Sequence, residues 1–135
     1  MNIIKERTGE YGFPYIAYIP DHISDKPAII IQLHGAGQRG AGGDQLDCVV
    51  VHGFANIVND DNLKDAILIM PQCPEDSFWV ARIESVKRFI DTMVEKYHGD
   101  PDRLYLCGLS MGGFGTWYTA MAYPDMFAAI APCCG

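Results

Sequence analysis

Basic charge is scarce in this 135-residue chain. Ten Lys and Arg stand against 17 Asp and Glu, giving a net charge of −7 and a sequence pI of about 4.8. Nucleic-acid binding needs a basic stripe or patch, and none is available. An acidic surface also disfavours anionic membranes and polyanionic substrates. Apolar runs of membrane-spanning length, roughly 20 residues, are absent, and Met1–Arg7 is too short and too charged for a signal peptide. The five cysteines, at 48, 73, 107, 133 and 134, contain no C-x-x-C pair. Their number is odd and two are adjacent, so free thiols in a reducing cytoplasm are expected. Neither a metal nor a cofactor is expected. Repeats, low-complexity tracts and linkers are missing too, so residues 1–135 read as a single domain. Hydrophobic residues make up 49% of the chain, enough to build a core and not to stay disordered.

The apolar residues fall into short runs. Pro27–Leu33, Ala66–Met70 and Leu104–Cys107 are nearly continuous, as in parallel strands covered on both faces. Tyr11–Pro20 has strand composition, and its two prolines mark it as an edge strand. Phe127–Ala131 is a last apolar run. Between them, Arg82–His98 carries Ile83, Val86, Ile90, Met93, Val94 and Tyr97 at helical spacing, with Glu84 placed to pair with Arg88. A helical stretch is also expected within Asp44–Val58, and a turn at Asn59–Asn62. Strands alternating with helices predict an α/β domain with a doubly wound, mostly parallel sheet. Ligands then bind at the carboxyl ends of the strands. His34–Gly43, Pro71–Pro74 and Gly108–Gly113 all fall at such ends, which points to one site.

The centre of that site is Gly108-Leu-Ser-Met-Gly112, a G-x-S-x-G between the strand Leu104–Cys107 and a helix over Met111–Tyr123. Phe114, Trp117, Tyr118 and Met121 are spaced like one face of that helix. Strand, sharp glycine turn and helix with a serine at the apex form the nucleophile elbow of α/β-hydrolases. The glycines let strand and helix cross closely beside a strained serine. The competing reading is a serine that only caps the helix.

Gly35-Ala-Gly-Gln-Arg-Gly40 follows a strand and matches the dinucleotide fingerprint G-x-G-x-x-G. The acid that should lie at the end of the next strand is missing there, since Asp60 and Asp61 precede the run at 66–70. An oxyanion loop is the other reading. One donor would be the N–H of Met111 and the other that of Ala36, with Gly37 the neighbouring candidate. In this reading His34 and Gly35 support the loop and His34 moves no proton. A surface histidine before a glycine turn is the simpler alternative.

Leu33-His-Gly-Ala-Gly-Gln-Arg-Gly40, Pro71-Gln-Cys-Pro74 with Trp79, Asp100–Trp117 and Tyr123–Pro132 together resemble the phospholipase/carboxylesterase-like and prolyl-oligopeptidase-like esterases of the α/β-hydrolase superfamily. The resemblance implies hydrolysis of a small-molecule or carbohydrate-linked carboxylic ester. Ser110 would be the nucleophile, with the Ala36 and Met111 backbone as its oxyanion hole. The family order is Ser, then Asp or Glu, then His. After Ser110 this chain has one acid, Asp125, and no histidine, because His22, His34, His52 and His98 all precede it. Asp125 matches the family's Tyr-Pro-Asp turn and not the triad acid. The sequence therefore reads as the N-terminal part of such a domain, truncated after the strand that follows the nucleophile helix. Self-association or a complementing chain is expected, and a non-catalytic fragment that binds a partner or ligand is the alternative.

Overall fold

A computed structural model describes all 135 residues. Six strands form one sheet in the order β1-β2-β4-β3-β5-β6. They are β1 (Asn2–Glu6), β2 (Tyr15–Ile19), β3 (Ala28–Leu33), β4 (Ala66–Pro71), β5 (Leu104–Leu109) and β6 (Ala129–Cys133). β1, β2 and β4 pair antiparallel, while β4, β3, β5 and β6 run parallel. The mostly parallel α/β architecture expected from the apolar runs is thus present.

β3 and β4 are apolar along their length because both faces are covered. One face carries α2 (Ile83–Lys96) and α3 (Met111–Ala122), around a core that includes Ile29, Ile31, Leu33, Ile69 and Trp79. The other carries the 3₁₀ turns Gly43–Val50 and Gly53–Asn56 and the single helical turn α1 (Asp60–Leu63), around Leu46, Val49, Leu63 and Leu68. The stretch expected to be helical in Asp44–Val58 is thus 3₁₀, and the expected turn at Asn59 is α1, capped by the Asn59 side chain on the Asn62 amide.

Three expectations need correction. β2 is not an edge strand; β1 is, with four of its five residues exposed. The prolines mislead because Pro14 and Pro20 sit just outside the paired residues, where no ladder N–H is lost, and the Pro14 carbonyl still accepts from the Gln72 amide at 2.8 Å. On α2 the ion pair is Lys87 with Asp91, and Arg88 instead donates to Ser85 Oγ. On α3 the large apolar residues do not face the sheet. Phe114, Trp117, Tyr118 and Met121 are exposed, and the buried face is Gly112, Gly113, Gly115, Thr116 and Thr119. Small residues let the helix lie almost on the strands.

Candidate active site

Leaving β3 the chain goes to one neighbour, β4; it then crosses back to the other, β5. This reversal opens a crevice beyond the carboxyl ends of β3 and β5. Leu33 and Gly108 are paired across those two strands, so the loop after Leu33 and the turn after Leu109 leave the sheet side by side.

Ser110 joins β5 to α3 with φ 56° and ψ −112°, a left-handed conformation that a non-glycine residue adopts only when its surroundings impose it. The imposing contacts are close. A β-carbon on Gly112 would lie 1.8 Å from the Leu33 carbonyl oxygen, and one on Gly108 would lie 2.0 Å from the Gly112 carbonyl oxygen. The serine side chain makes no capping hydrogen bond to the helix, which removes the simple capping reading. Its backbone N–H donates to the Cys133 carbonyl at 2.8 Å, tying the turn to β6. The amide of Met111, first in α3, has no hydrogen-bond partner and sits at the positive end of the helix dipole.

The glycine loop lies against this turn. A β-carbon on Gly35 would be 3.4 Å from the Leu109 carbonyl oxygen and 3.8 Å from Ser110 Cβ. Ala36–Gln38 is a single 3₁₀ turn, and the amides of Ala36 and Gly37 are likewise unused. The segment that follows at Gly43–Val50 is 3₁₀, so no α-helix dipole stands behind Gly40 as a dinucleotide site requires.

His34 is buried, and its hydrogen bonds fix its tautomer. Nδ1 lies 2.6 Å from the Gly35 carbonyl and therefore carries the proton, and Nε2 accepts the Cys73 amide at 2.9 Å. Burial, with the charge of Arg39 as a smaller influence, pushes its pKa down to about 4 against the opposing Gly35 hydrogen bond. The Trp79 indole donates to the His34 carbonyl at 2.9 Å. His34 is thus a neutral anchor for the loop, not a surface residue.

None of the other histidines is hydrogen-bonded to Ser110, although His52 lines the cavity beside Gly35 and Leu109. His98 follows α2 next to Gly99, whose backbone packs on Ile29 at the amino end of β3. Asp125 lies at that same end, close before the Ala128–Leu104 hydrogen bond that opens β6. His22 is exposed ahead of β3, and His52 is exposed at the 3₁₀ turn Gly53–Asn56 without a bond to the serine. Two apolar spaces flank the turn. A cavity of about 330 Å³ is lined by Gly35, Gln38, Val49, Phe54 and Leu109. A more open groove of about 460 Å³ runs from Ser110 along Phe78, Val80, Phe114 and Tyr118.

Gln72 had no place in the sequence reading beyond its motif. It is fully buried at the end of β4 and bonds to Gln38, Gly42 and Gln45 across the glycine loop. The only signal was a polar residue directly after an apolar strand.

No protein-family model matches the chain. Among curated proteins it is 29% identical over 125 residues to feruloyl esterase B of Neurospora crassa, a match over 84% of this chain and 41% of that protein. It is 30% identical over 130 residues to feruloyl esterase B of Thermothelomyces thermophilus, with the same shares, 84% and 41%. The chain therefore spans well under half the length of these relatives. Among solved structures, a thermostable esterase superposes over 99% of this chain and 40% of its own, with a TM-score of 0.70 and 29% identity.

Proposed function

We propose that this chain, an α/β-hydrolase by fold and similar to known esterases, carries the nucleophile and oxyanion hole of a serine esterase. The observation that carries the reading is Ser110, strained and uncapped, with Gly35 packed against it and the neighbouring amides of Ala36 and Met111 unused. Ser110 Oγ attacks the ester carbonyl carbon while a base takes its proton. The carbonyl oxygen, now an anion, is held by the Ala36 and Met111 N–H groups, with Gly37 beside them. The alcohol leaves with that proton, and water then releases the acid from the acyl-serine. No histidine is hydrogen-bonded to Ser110, so this reading needs a base and its acid partner supplied from outside these 135 residues. The exposed apolar face of α3 and the open edge of β6 support association with the part that supplies them.

The groove beside Ser110 is aromatic and carries no charge, which suits an apolar group of the substrate. Two relatives are feruloyl esterases by name, which supports a small-molecule or carbohydrate-linked ester as the substrate class. Five free cysteines, two of them buried with thiols pushed up to about 11 (Cys73) and about 12 (Cys107) by burial, suit a reducing cytoplasm.

In the full-length or complemented protein a fluorophosphonate probe should label Ser110, located by peptide mapping, and Ser110→Ala should remove the label. Labelling that survives the substitution overturns the reading. The missing imidazole favours a second reading, a non-catalytic scaffold that binds a partner. Ester turnover abolished by Ser110→Ala would exclude it.

A further inference from the structure

We infer that Gln72 is the positioning residue that sets the oxyanion amides of the glycine loop against Ser110, an inference that rests on the function proposed above. Gln72 stands at the tip of β4, a strand that carries neither the nucleophile nor the loop. Its own backbone is fixed, since its N–H donates to the Pro14 carbonyl at 2.8 Å. Its side chain is fully buried, and both ends of the amide are used. Oε1 accepts the Gly42 N–H at 2.9 Å, and Nε2 donates to the carbonyls of Gln38 at 3.0 Å and Gln45 at 2.8 Å. One side chain thus holds the outgoing limb of the loop at Gln38 and its returning limb at Gly42 and Gln45.

The connection continues to the nucleophile in two steps. Gln38 ends the turn that contains Ala36 and Gly37. It closes back on Gly35 twice, donating its N–H to the Gly35 carbonyl at 3.2 Å and accepting the Gly35 N–H on Oε1 at 3.1 Å. Gly35 is the residue that faces the Leu109 carbonyl and Ser110 Cβ. The neighbouring Cys73 adds two more ties, from its amide to His34 and from its carbonyl to the Gly40 N–H at 3.0 Å. The loop bearing the donors is therefore hung from the end of β4 at several points, and Gln72 is the only side chain that the β4 end contributes to them.

The chemistry of the residue fits the place. Two carbonyls and one amide N–H converge there, and only a carboxamide offers two donors and an acceptor in one plane. A carboxylate would face two carbonyl oxygens in a buried space, and an alkyl chain would leave three polar groups unpaired. Gly40 completes the fit, since a β-carbon there would lie 2.6 Å from Gln72 Nε2.

The test is Gln72→Met, which keeps the length and apolar bulk of the side chain, beside Val86→Ala as a control that loosens α2 without touching the loop. Labelling of Ser110 by the fluorophosphonate is measured per folded molecule in the full-length or complemented protein, together with backbone amide order for residues 35–42 by NMR. Gln72→Met should slow labelling about 10- to 100-fold, less than the loss of a donor itself, and lower the order of Ala36 and Gly37 with β3 and β5 unchanged. Val86→Ala should leave both readouts at the native value. A labelling rate unchanged in Gln72→Met, or slowed equally in Val86→Ala, overturns the inference. If the native protein is not labelled at Ser110 at all, the proposed function falls, and the catalytic role of Gln72 falls with it. Unchanged order at Ala36 and Gly37 in Gln72→Met overturns the inference whatever the labelling shows.

Discussion

Nε2 of the buried His34 accepts the backbone N–H of Cys73 at 2.9 Å, so the imidazole joins β3 to the end of β4 only while that nitrogen is unprotonated. The pKa of His34 lies at about 4 in the folded protein against an ordinary 6.5, chiefly because burial disfavours the charged ring. As pH falls the unfolded chain therefore takes up this proton first. The stability held by the neutral ring is complete above about pH 6.5, declines between 6.5 and 4, and does not decline further below that. The full loss is roughly 3 kcal/mol, most of it spent by pH 4.5. Urea unfolding at pH 7.5 and pH 4.5 checks this against His34→Gln. The native protein should lose more than the variant, and equal losses would show that His34 does not carry the dependence.

The sheet could be read from the sequence where one kind of residue fills an element. β3, β4 and β5 are covered on both faces, so their apolar runs are nearly continuous and stand out in the sequence. β1 was missed because Asn2–Glu6 is mostly exposed and has no apolar face to betray it. The face of α3 was legible in spacing but not in direction. Hydrophobic periodicity finds large side chains, and here the contact with the sheet belongs to glycines and threonines. At the site, Ser110, the glycine loop and the anchoring role of His34 follow from local motifs. Gln72 does not, because its partners at 38, 42 and 45 become neighbours only once β4 pairs with β3.

The crossing of α3 over the tip of β3 predicts a sharp contrast between two glycines. Gly112→Ala would place a carbon 1.8 Å from the Leu33 carbonyl oxygen and 2.8 Å from that of His34, both backbone atoms that cannot swing aside. The cost should be at least about 3 kcal/mol. Gly37 has no atom within 4 Å of the same added carbon and an ordinary backbone conformation, so Gly37→Ala should change stability by no more than about 0.5 kcal/mol. Urea midpoints of the two variants decide it. Similar costs would mean that α3 does not lie on β3 as closely as described.

Trp117 and Met121 are 45% and 61% exposed, one turn apart on the outer face of α3. The double substitution Trp117→Lys, Met121→Lys should leave the unfolding free energy within about 1 kcal/mol of native, since neither side chain fills the core. Any concentration-dependent association of the native chain in sedimentation velocity should also fall, because the substitution interrupts the apolar face. A loss of several kcal/mol would place these residues inside the fold. Unchanged association would move the sticky surface elsewhere, to the edge of β6.

Thr116 and Thr119 are both fully buried on the inner face of α3, yet their hydroxyls differ. Thr116 Oγ1 donates to the Gly112 carbonyl at 2.8 Å, and it fits tightly, since a β-carbon on Gly108 would lie 2.8 Å from it. Thr119 Oγ1 has no partner. Replacing a hydroxyl by a methyl should therefore have opposite signs at the two positions. Thr116→Val loses a hydrogen bond and adds bulk where strand and helix meet, and should cost about 1 kcal/mol or more. Thr119→Val removes a polar group that was stripped of water without compensation, keeps the branched shape, and should stabilise by about 1 kcal/mol. Thr119→Ala separates the two contributions, because it removes the same hydroxyl but leaves a methyl-sized void and should fall below the valine variant by about 1 kcal/mol. Thermal unfolding should give the order of stability Thr119→Val, native, Thr116→Val. A destabilised Thr119→Val would mean that its hydroxyl is satisfied after all.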